Sequence, residues 1–350
     1  MNPEKERGEQ EGGRKPLVKS RPQIAGGGLT IVVPVRNRAR LIGRCLDSAL
    51  RQTFRPLRVV VVDNGSSDAT PEAVREWVTV NKVSSNLCEQ PGNDPRFRLD
   101  LFEEPTPGAS AARNRGLAEV STDWVYFFDS DDEMVPSLAA DAMEASSDAD
   151  IVYWKVCVCQ SGRSRVKPFS KRCIARRHIF NGMLCTQAFM VRTEFLRGAG
   201  GWNVEAAVWN DWEVAFRLLL AGPRIRVLDQ VEAQIYPQKE SITGTSYAAK
   251  TGAWEATLDI FDTIIDRLPS ERVESGPFRG YTKRRLHGMI SYRRAILAAL
   301  YKREGHGDLS RALMEKALSS TSLGGGRRLL LRFLSAYTSA GGRAAYLLWH

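Results

Sequence analysis

Residues 29–68 read LTIVVPVRNRARLIGRCLDSALRQTFRPLRVVVVDNGSSD, and the spacing of apolar residues in this stretch decides the fold. The opening LTIVVPV is short, β-branched and continuously apolar, the pattern of a strand buried on both faces. Across 39–52, Leu41, Ile42, Cys45, Leu46, Ala49 and Leu50 recur at helical spacing. RVVVVD is a second buried strand, closed by the turn residues NGSSD. Strand, helix and strand, with both strands continuously apolar, imply a parallel sheet with helices on both faces. Ligands of such sheets sit beyond the carboxyl ends of the strands. Arg36 with Asn37, and Asp63 with Asn64, fall there.

Outward from this core, Thr70 and Pro71 open another helix, with Glu72 in its first turn. A third strand is expected at 97–102. The PTPG loop leads into a helix over 109–119, and WVYFFDSDDEMV is a strand running into four acidic residues within positions 129–133. Strands are expected at 150–158 and 186–191, and a helix at 212–220. The basic stretch 163–177 reads as an irregular, mobile loop. From 251 the pattern turns helical, over 254–268, 281–303 and 309–318. A glycine hinge at 324–326 then precedes a basic, apolar tail over 327–348.

The chain has 350 residues and is 43% apolar, enough for a real core and for two domains, or one domain with an appendage. No run approaches the ~20 apolar residues of a membrane helix. The polar stretch 1–28 lacks the apolar segment of a secretory signal and reads as a disordered lead-in. Cys45, Cys88, Cys157, Cys159, Cys173 and Cys185 match no zinc spacing. Buried free thiols in a reducing compartment are expected, which points to the cytoplasm. Net charge is +10, and after Glu315 no acidic residue follows while Lys316, Arg327, Arg328, Arg332 and Arg343 remain. Such a surface suits nucleic acid, anionic lipid or phosphorylated substrates. No zinc-finger, helix-turn-helix or RNP pattern is present, so nucleic acid is not an expected partner. The tail fits either a helix packed on the domain or peripheral contact with the inner face of the membrane.

Four clusters carry chemistry. Asp129-Ser130-Asp131-Asp132 ends an apolar strand. Carboxylates this close raise one another's pKa unless a cation neutralises them, and oxygen ligands suit Mg2+ or Mn2+, which also hold substrate phosphates. The plainer alternative is a solvated acidic turn. Asp63 ends a strand where it can accept from a base or ribose, and Gly65 admits backbone to a ligand; Ser66, Ser67 and Asp68 equally read as turn and capping residues. Pro107 to Gly116 opens a helix with small residues and two arginines, Arg113 and Arg115, in its early turns, an anion site or an ordinary helix with solvated arginines. Trp209-Asn210-Asp211-Trp212 sets an acid between two indoles. It is either a general base beside a sugar-stacking wall or a helix cap with core tryptophans. His178, His287, His306 and His350 are expected to be surface or hydrogen-bonded core residues.

In this order, TIVVPVRNR, VVVVDNGSSD, PGASAARNRGL, YFFDSDDE, GGWN and WNDWEVAFRLLLAG resemble the inverting family 2 glycosyltransferases. The resemblance covers roughly 29–247. It implies the α/β, GT-A type fold, with a mostly parallel nucleotide-binding sheet and here a helical C-terminal extension. The implied organisation is a catalytic domain over 29–250, with a nucleotide-sugar-binding half (29–135) and an acceptor-side half (136–250), followed by a helical region over 251–350. By the same resemblance Pro34, Val35, Arg36 and Asn37 line the nucleotide pocket, and Asp63 contacts the base, commonly uracil. Arg113, Asp129 and Ser130 border the donor, Asp131 is the direct ligand of Mn2+ or Mg2+, and Asp211 is the catalytic base. Trp209, Asn210 and Trp212 fall on the acceptor side, where Asn210 replaces a frequent Glu. Gln238 and Lys239 fall in a late loop that closes over the donor.

The implied partners are a nucleotide-sugar, a UDP-sugar first, and a glycan or lipid-linked acceptor, with polysaccharide biosynthesis as the setting. The implied reaction is a single displacement with inversion. Asp211 takes the acceptor's proton while the metal stabilises charge on the leaving phosphate. Two rivals differ. A sugar nucleotidyltransferase would carry a glycine-rich loop where VPVRNRAR stands, and a degenerate transferase would bind donor without turnover.

Overall fold

The computed structural model describes residues 28–88, 91–238, 246–320, 322–342 and 345–349; nearly all of the expected lead-in, and Lys239, lie outside the described residues. The chain runs through β1 (Leu29–Val35), α1 (Ile42–Leu50), β2 (Leu57–Asp63), α2 (Thr70–Asn81), β3 (Phe97–Glu103), α3 (Ala109–Ala118) and β4 (Trp124–Phe127). These four strands lie parallel in the order β3-β2-β1-β4. Ile31, Val32 and Val33, and Val59 to Val62, are fully buried. Successive residues point to opposite faces, so both faces of the sheet are covered. Val35 lies opposite Asp63, and Asp63 opposite Glu103, which levels the carboxyl ends into one edge. On β1, α3 sits so close that a Cβ on Gly116 would come within 2.3 Å of Val32 Cγ1. Only glycine permits that approach.

Beyond β4 come β5 (Glu133–Met134), α4 (Leu138–Glu144), β6 (Ile151–Gln160), β7 (Arg163–Val166), α5 (Ile174–Asn181), β8 (Phe189–Arg192), α6 (Thr193–Gly198), α7 (Asn210–Leu220) and β9 (Ile225–Ile235). The sheet continues as β4-β8-β6-β9-β5, with β7 pairing β6. Here it is mixed, because β8 runs antiparallel to both β4 and β6 while β9 is parallel to β6. Three expectations are corrected in this half. The 163–177 stretch is not one irregular loop, since its start is β7, an exposed strand held by backbone pairing to β6, and its end enters α5. The strand expected from 186 begins at Phe189, after a 3-10 turn over Thr186–Ala188. β9 was not anticipated, because most of its side chains are only half-buried or exposed and give no apolar run.

The helical third comprises α8 (Ala253–Asp266), α9 (Lys283–Arg303), α10 (Gly307–Ser319) and α11 (Gly325–Ser339). α9 packs against the other three. The glycines at 324–326 form no free hinge, since Gly324 caps α11 and the next two begin it. This third is welded to the sheet by aromatic contacts. Trp254 meets Trp209 at 4.6 Å between ring centroids, and Phe261 meets Trp212 at 4.2 Å and Phe216 at 4.8 Å. The Thr257 hydroxyl donates to the Val208 carbonyl at 3.0 Å. No helix among the described residues is long and apolar enough to cross a membrane. Among the described residues the cysteines form no disulfide, and only Cys45 and Cys185 are buried. Cys157 and Cys159 sit where β6 outruns the core beside exposed β7, and Cys88 and Cys173 are exposed.

Candidate active site

A cavity of about 670 Å³ opens at the carboxyl edge of β1, β2 and β4. Pro34, Val35, Arg36, Asn37 and Arg38 form one wall. The turn is fixed by reciprocal bonds to the end of β2. The Asn37 amide donates to Ser66 Oγ at 2.9 Å, and the Ser67 amide donates to Asn37 Oδ1 at 2.8 Å. Asn37 takes a left-handed φ of 53°, which asparagine tolerates. Asp63 lies just behind this wall, 5% exposed. Its Oδ2 accepts the Ser66 amide at 3.1 Å, while Oδ1 is buried with no donor. Asn64 lines the cavity in its place. Its Nδ2 donates to the carbonyls of Glu104 and Thr106, and its Oδ1 accepts the Gly108 amide, each at 2.8 Å. That side chain clips the end of β2 to the start of α3.

Arg113 crosses the site from α3, only 4% exposed. It donates to Asp129 Oδ1 at 2.9 Å and to Asn210 Oδ1 at 3.2 Å, and its guanidinium lies 4.4 Å from the Trp202 ring centroid. One buried cation thus joins α3, the end of β4 and the start of α7. Asn210, where a glutamate was the family's pattern, is spent on holding Arg113. Gln187 spans the acidic turn from the other side. Its Nε2 donates to Asp129 Oδ2 at 2.7 Å and to Asp132 Oδ2 at 2.6 Å, and its backbone carbonyl accepts from Tyr126 and Trp154. Because β8 is antiparallel to β4, the residues just before β8 land beside the carboxyl end of β4, which is how Gln187 reaches Asp129.

The acidic turn carries more negative charge than it neutralises. Burial, then the Asp129 charge, pushes the Asp132 carboxyl up to about 8. The same causes raise Asp131, against Arg38, whose Nε lies 3.6 Å from Asp131 Oδ2. Ser130 also lines the cavity.

Across the cavity, Asp211 sits in the first turn of α7. Trp209 precedes the helix with φ 50°, a left-handed turn that brings both Trp209 and Asp211 to the cavity. Burial raises the Asp211 carboxyl, opposed by the charges of Lys167 and Arg113. Lys167 lines the same cavity, as do Cys185 and Thr186.

The structure brings together Pro34, Val35, Arg36, Asn37, Arg113, Asp129, Ser130, Asp131, Trp209, Asn210 and Asp211 around this cavity. Trp212 is not among them. It is 3% exposed, packs on Phe261, and donates from Nε1 to the His178 carbonyl at 3.0 Å, because on α7 it points into the core. Gln238 lies off the cavity wall, with its amide donating to the Tyr236 carbonyl at 2.9 Å. Arg38, Lys167 and Gln187 were missed, and Asn64 was placed at the strand ends without a role of its own. Asn64 stood inside a quoted motif, whereas Lys167 and Gln187 arrive through pairing of distant strands and leave no local signal.

The family model for glycosyl transferase family 2 matches residues 30–197. Among curated relatives, glycosyltransferase GlyA of Streptococcus pneumoniae is 36% identical over 104 residues, 30% of this chain and 13% of that protein. A PGL/p-HBAD biosynthesis glycosyltransferase of Mycobacterium bovis is 27% identical over 192 residues, 54% of this chain and 68% of that one. Two solved structures share the fold. S. aureus TarS 1-349 in complex with UDP-GlcNAc superposes with a TM-score of 0.63 at 18% identity, covering 91% of this chain and 89% of that one. The mannosyltransferase PcManGT of Pyrobaculum calidifontis, in complex with GDP-Man and Mn2+, gives 0.55 at 21% identity, covering 91% and 82%. The motif order, the half-parallel sheet and the matched family model agree: residues 30–197 belong to glycosyl transferase family 2, and the chain has the GT-A fold.

Proposed function

We propose that this protein transfers a sugar from a nucleotide-sugar donor to a hydroxyl of a glycan or lipid-linked acceptor, with inversion. The carrying observation is that one cavity holds the Arg113–Asp129 pair on one side and Asp211 on the other. A single carboxylate of raised proton affinity suits a general base that takes the acceptor's proton as its oxygen attacks. Arg113 fixes Asp129 and α7 in one frame, so the base and the donor turn keep their spacing. The Lys167 charge favours the ionised form of Asp211, against burial.

Uridine diphosphate is the proposed carrier. The orphaned Asp63 Oδ1 is a buried acceptor, costly to leave unmade, and an imide N–H of uracil would satisfy it. The surplus charge at Asp129, Asp131 and Asp132 fits a divalent cation, Mn2+ or Mg2+. Among the described residues no three His, Cys, Asp or Glu side chains converge as a closed metal cage. That suits an ion held by Asp131 together with substrate phosphates. When bound, the ion supplies positive charge to the departing diphosphate. The relatives named above are glycosyltransferases, which supports turnover over a binding-only role.

Calorimetric titration of UDP, GDP and dTDP, each with and without Mn2+, tests this. UDP is expected to bind only with metal, and Asp131→Asn to abolish it. Absence of binding by all three nucleotides sinks the reading. Loss of transfer in Asp211→Asn, with UDP binding retained, separates a working enzyme from a degenerate one.

A further inference from the structure

α11 carries two apolar stripes. Leu331, Leu334 and Thr338 are buried in the packing of α11 against α9. Leu329, Phe333 and Tyr337 are 70%, 56% and 40% exposed. Their spacing of four residues sets them on one side of the helix, and the Phe333 and Tyr337 rings stack at 6.3 Å. A helix that only packs on a domain needs one stripe. Among the described residues the other exposed large apolar side chains, Val80, Val166, Val204 and Leu347, lie outside α11. Clustered exposure of this kind marks an interaction surface.

The charge beside the stripe selects the partner. Arg327, Arg328 and Arg332 are exposed on the same helix, and no carboxylate follows Glu315. A shallow groove between α10 and α11, lined by Lys302 and Arg332, extends the basic field. A second copy docked through this face about a two-fold axis would set these arginines against their own equivalents. An anionic bilayer satisfies both features, taking the apolar side chains at the acyl boundary and the cations at the headgroups. We propose that the outward face of α11, through Leu329, Phe333 and Tyr337 with Arg328 and Arg332, docks the protein reversibly on an anionic lipid surface. The docking does not depend on the transferase reading, since the vesicles contain neither donor nor acceptor.

The test is co-sedimentation of the full chain with phosphatidylglycerol–phosphatidylcholine vesicles and with phosphatidylcholine alone. Binding is expected only to the anionic vesicles and is weakened by salt. Arg328→Ala and Arg332→Ala should each lower partitioning about fivefold, and Leu329→Ser with Phe333→Ser should abolish it. All four positions are exposed, so unchanged circular dichroism is expected and certifies the fold. Equal binding to neutral vesicles, or none to either, overturns the proposal. A concentration-dependent dimer dissolved by Phe333→Ser overturns it in favour of a protein interface.

Discussion

As the proposed base, Asp211 must be ionised to accept a proton, and burial works against that while Lys167 and Arg113 work for it. Since its carboxyl lies above the ordinary range, kcat/KM is expected to fall with acid at a higher pH than a solvent-exposed aspartate would give. Replacing Lys167 with Met removes one opposing charge and should move that acidic limb further up; a pH profile of the two proteins checks the sign. Asp211→Asn should cost roughly 10²–10⁴ in kcat. Gln187 poses a different demand, because its one amide nitrogen serves two carboxylates. Gln187→Leu strands the buried Asp132 acceptor and takes one donor from the part-exposed Asp129, and should lower stability by about 1–3 kcal/mol, measurable as a fall in melting temperature. The placement of Asp211 and Asp131 at the cavity was legible in the sequence because their motifs are contiguous. Gln187 was not, since its role exists only once β8 lies beside β4.

Among the elements, the parallel half was the most legible. β1, α1, β2, α2, β3 and β4 each bury an apolar pattern suited to the element, while α3 was read from its small residues and arginines, so local reading and tertiary packing agree. The mixed half was less legible for a stated reason. β7 and β9 are held mainly by backbone ladders to β6, and their half-exposed side chains carry little periodicity. The tight seat of α3 gives a prediction at this scale. Gly116→Ala would drive a methyl into fully buried Val32, and overpacking of this kind costs about 1–3 kcal/mol. Because Arg113 rides on the same helix, nucleotide binding should weaken along with thermal stability. A variant that melts like the parent would show that α3 can lift without cost.

For the molecule as a whole, acid should act first at the joint between α5 and α7. His178 is fully buried, its Nε2–H donates to the Trp212 carbonyl at 2.9 Å, and its Nδ1 accepts the Leu184 amide at 3.2 Å. Burial lowers its pKa from 6.5 to about 4. The unfolded chain therefore takes up a proton that the folded chain refuses. Stability conferred by the neutral ring is complete above pH 6.5 and lost as pH falls from there through about 4, to a limit of roughly 3 kcal/mol. Denaturant titrations at neutral and mildly acidic pH should show this slope, and His178→Gln should flatten it.

The contact that welds the helical third to the sheet also makes the protein a reporter on itself. Trp209 lines the cavity while its ring touches those of Trp212 at 5.3 Å and Trp254 at 4.6 Å. Indoles so close exchange excitation, so one chromophore at the cavity wall colours the emission of the cluster behind it. An acceptor entering beside Asp211 should shift intrinsic fluorescence without any added label. Trp209→Phe should silence that signal while leaving calorimetric UDP binding in place, turning occupancy of the acceptor side into an optical reading distinct from that of the donor side.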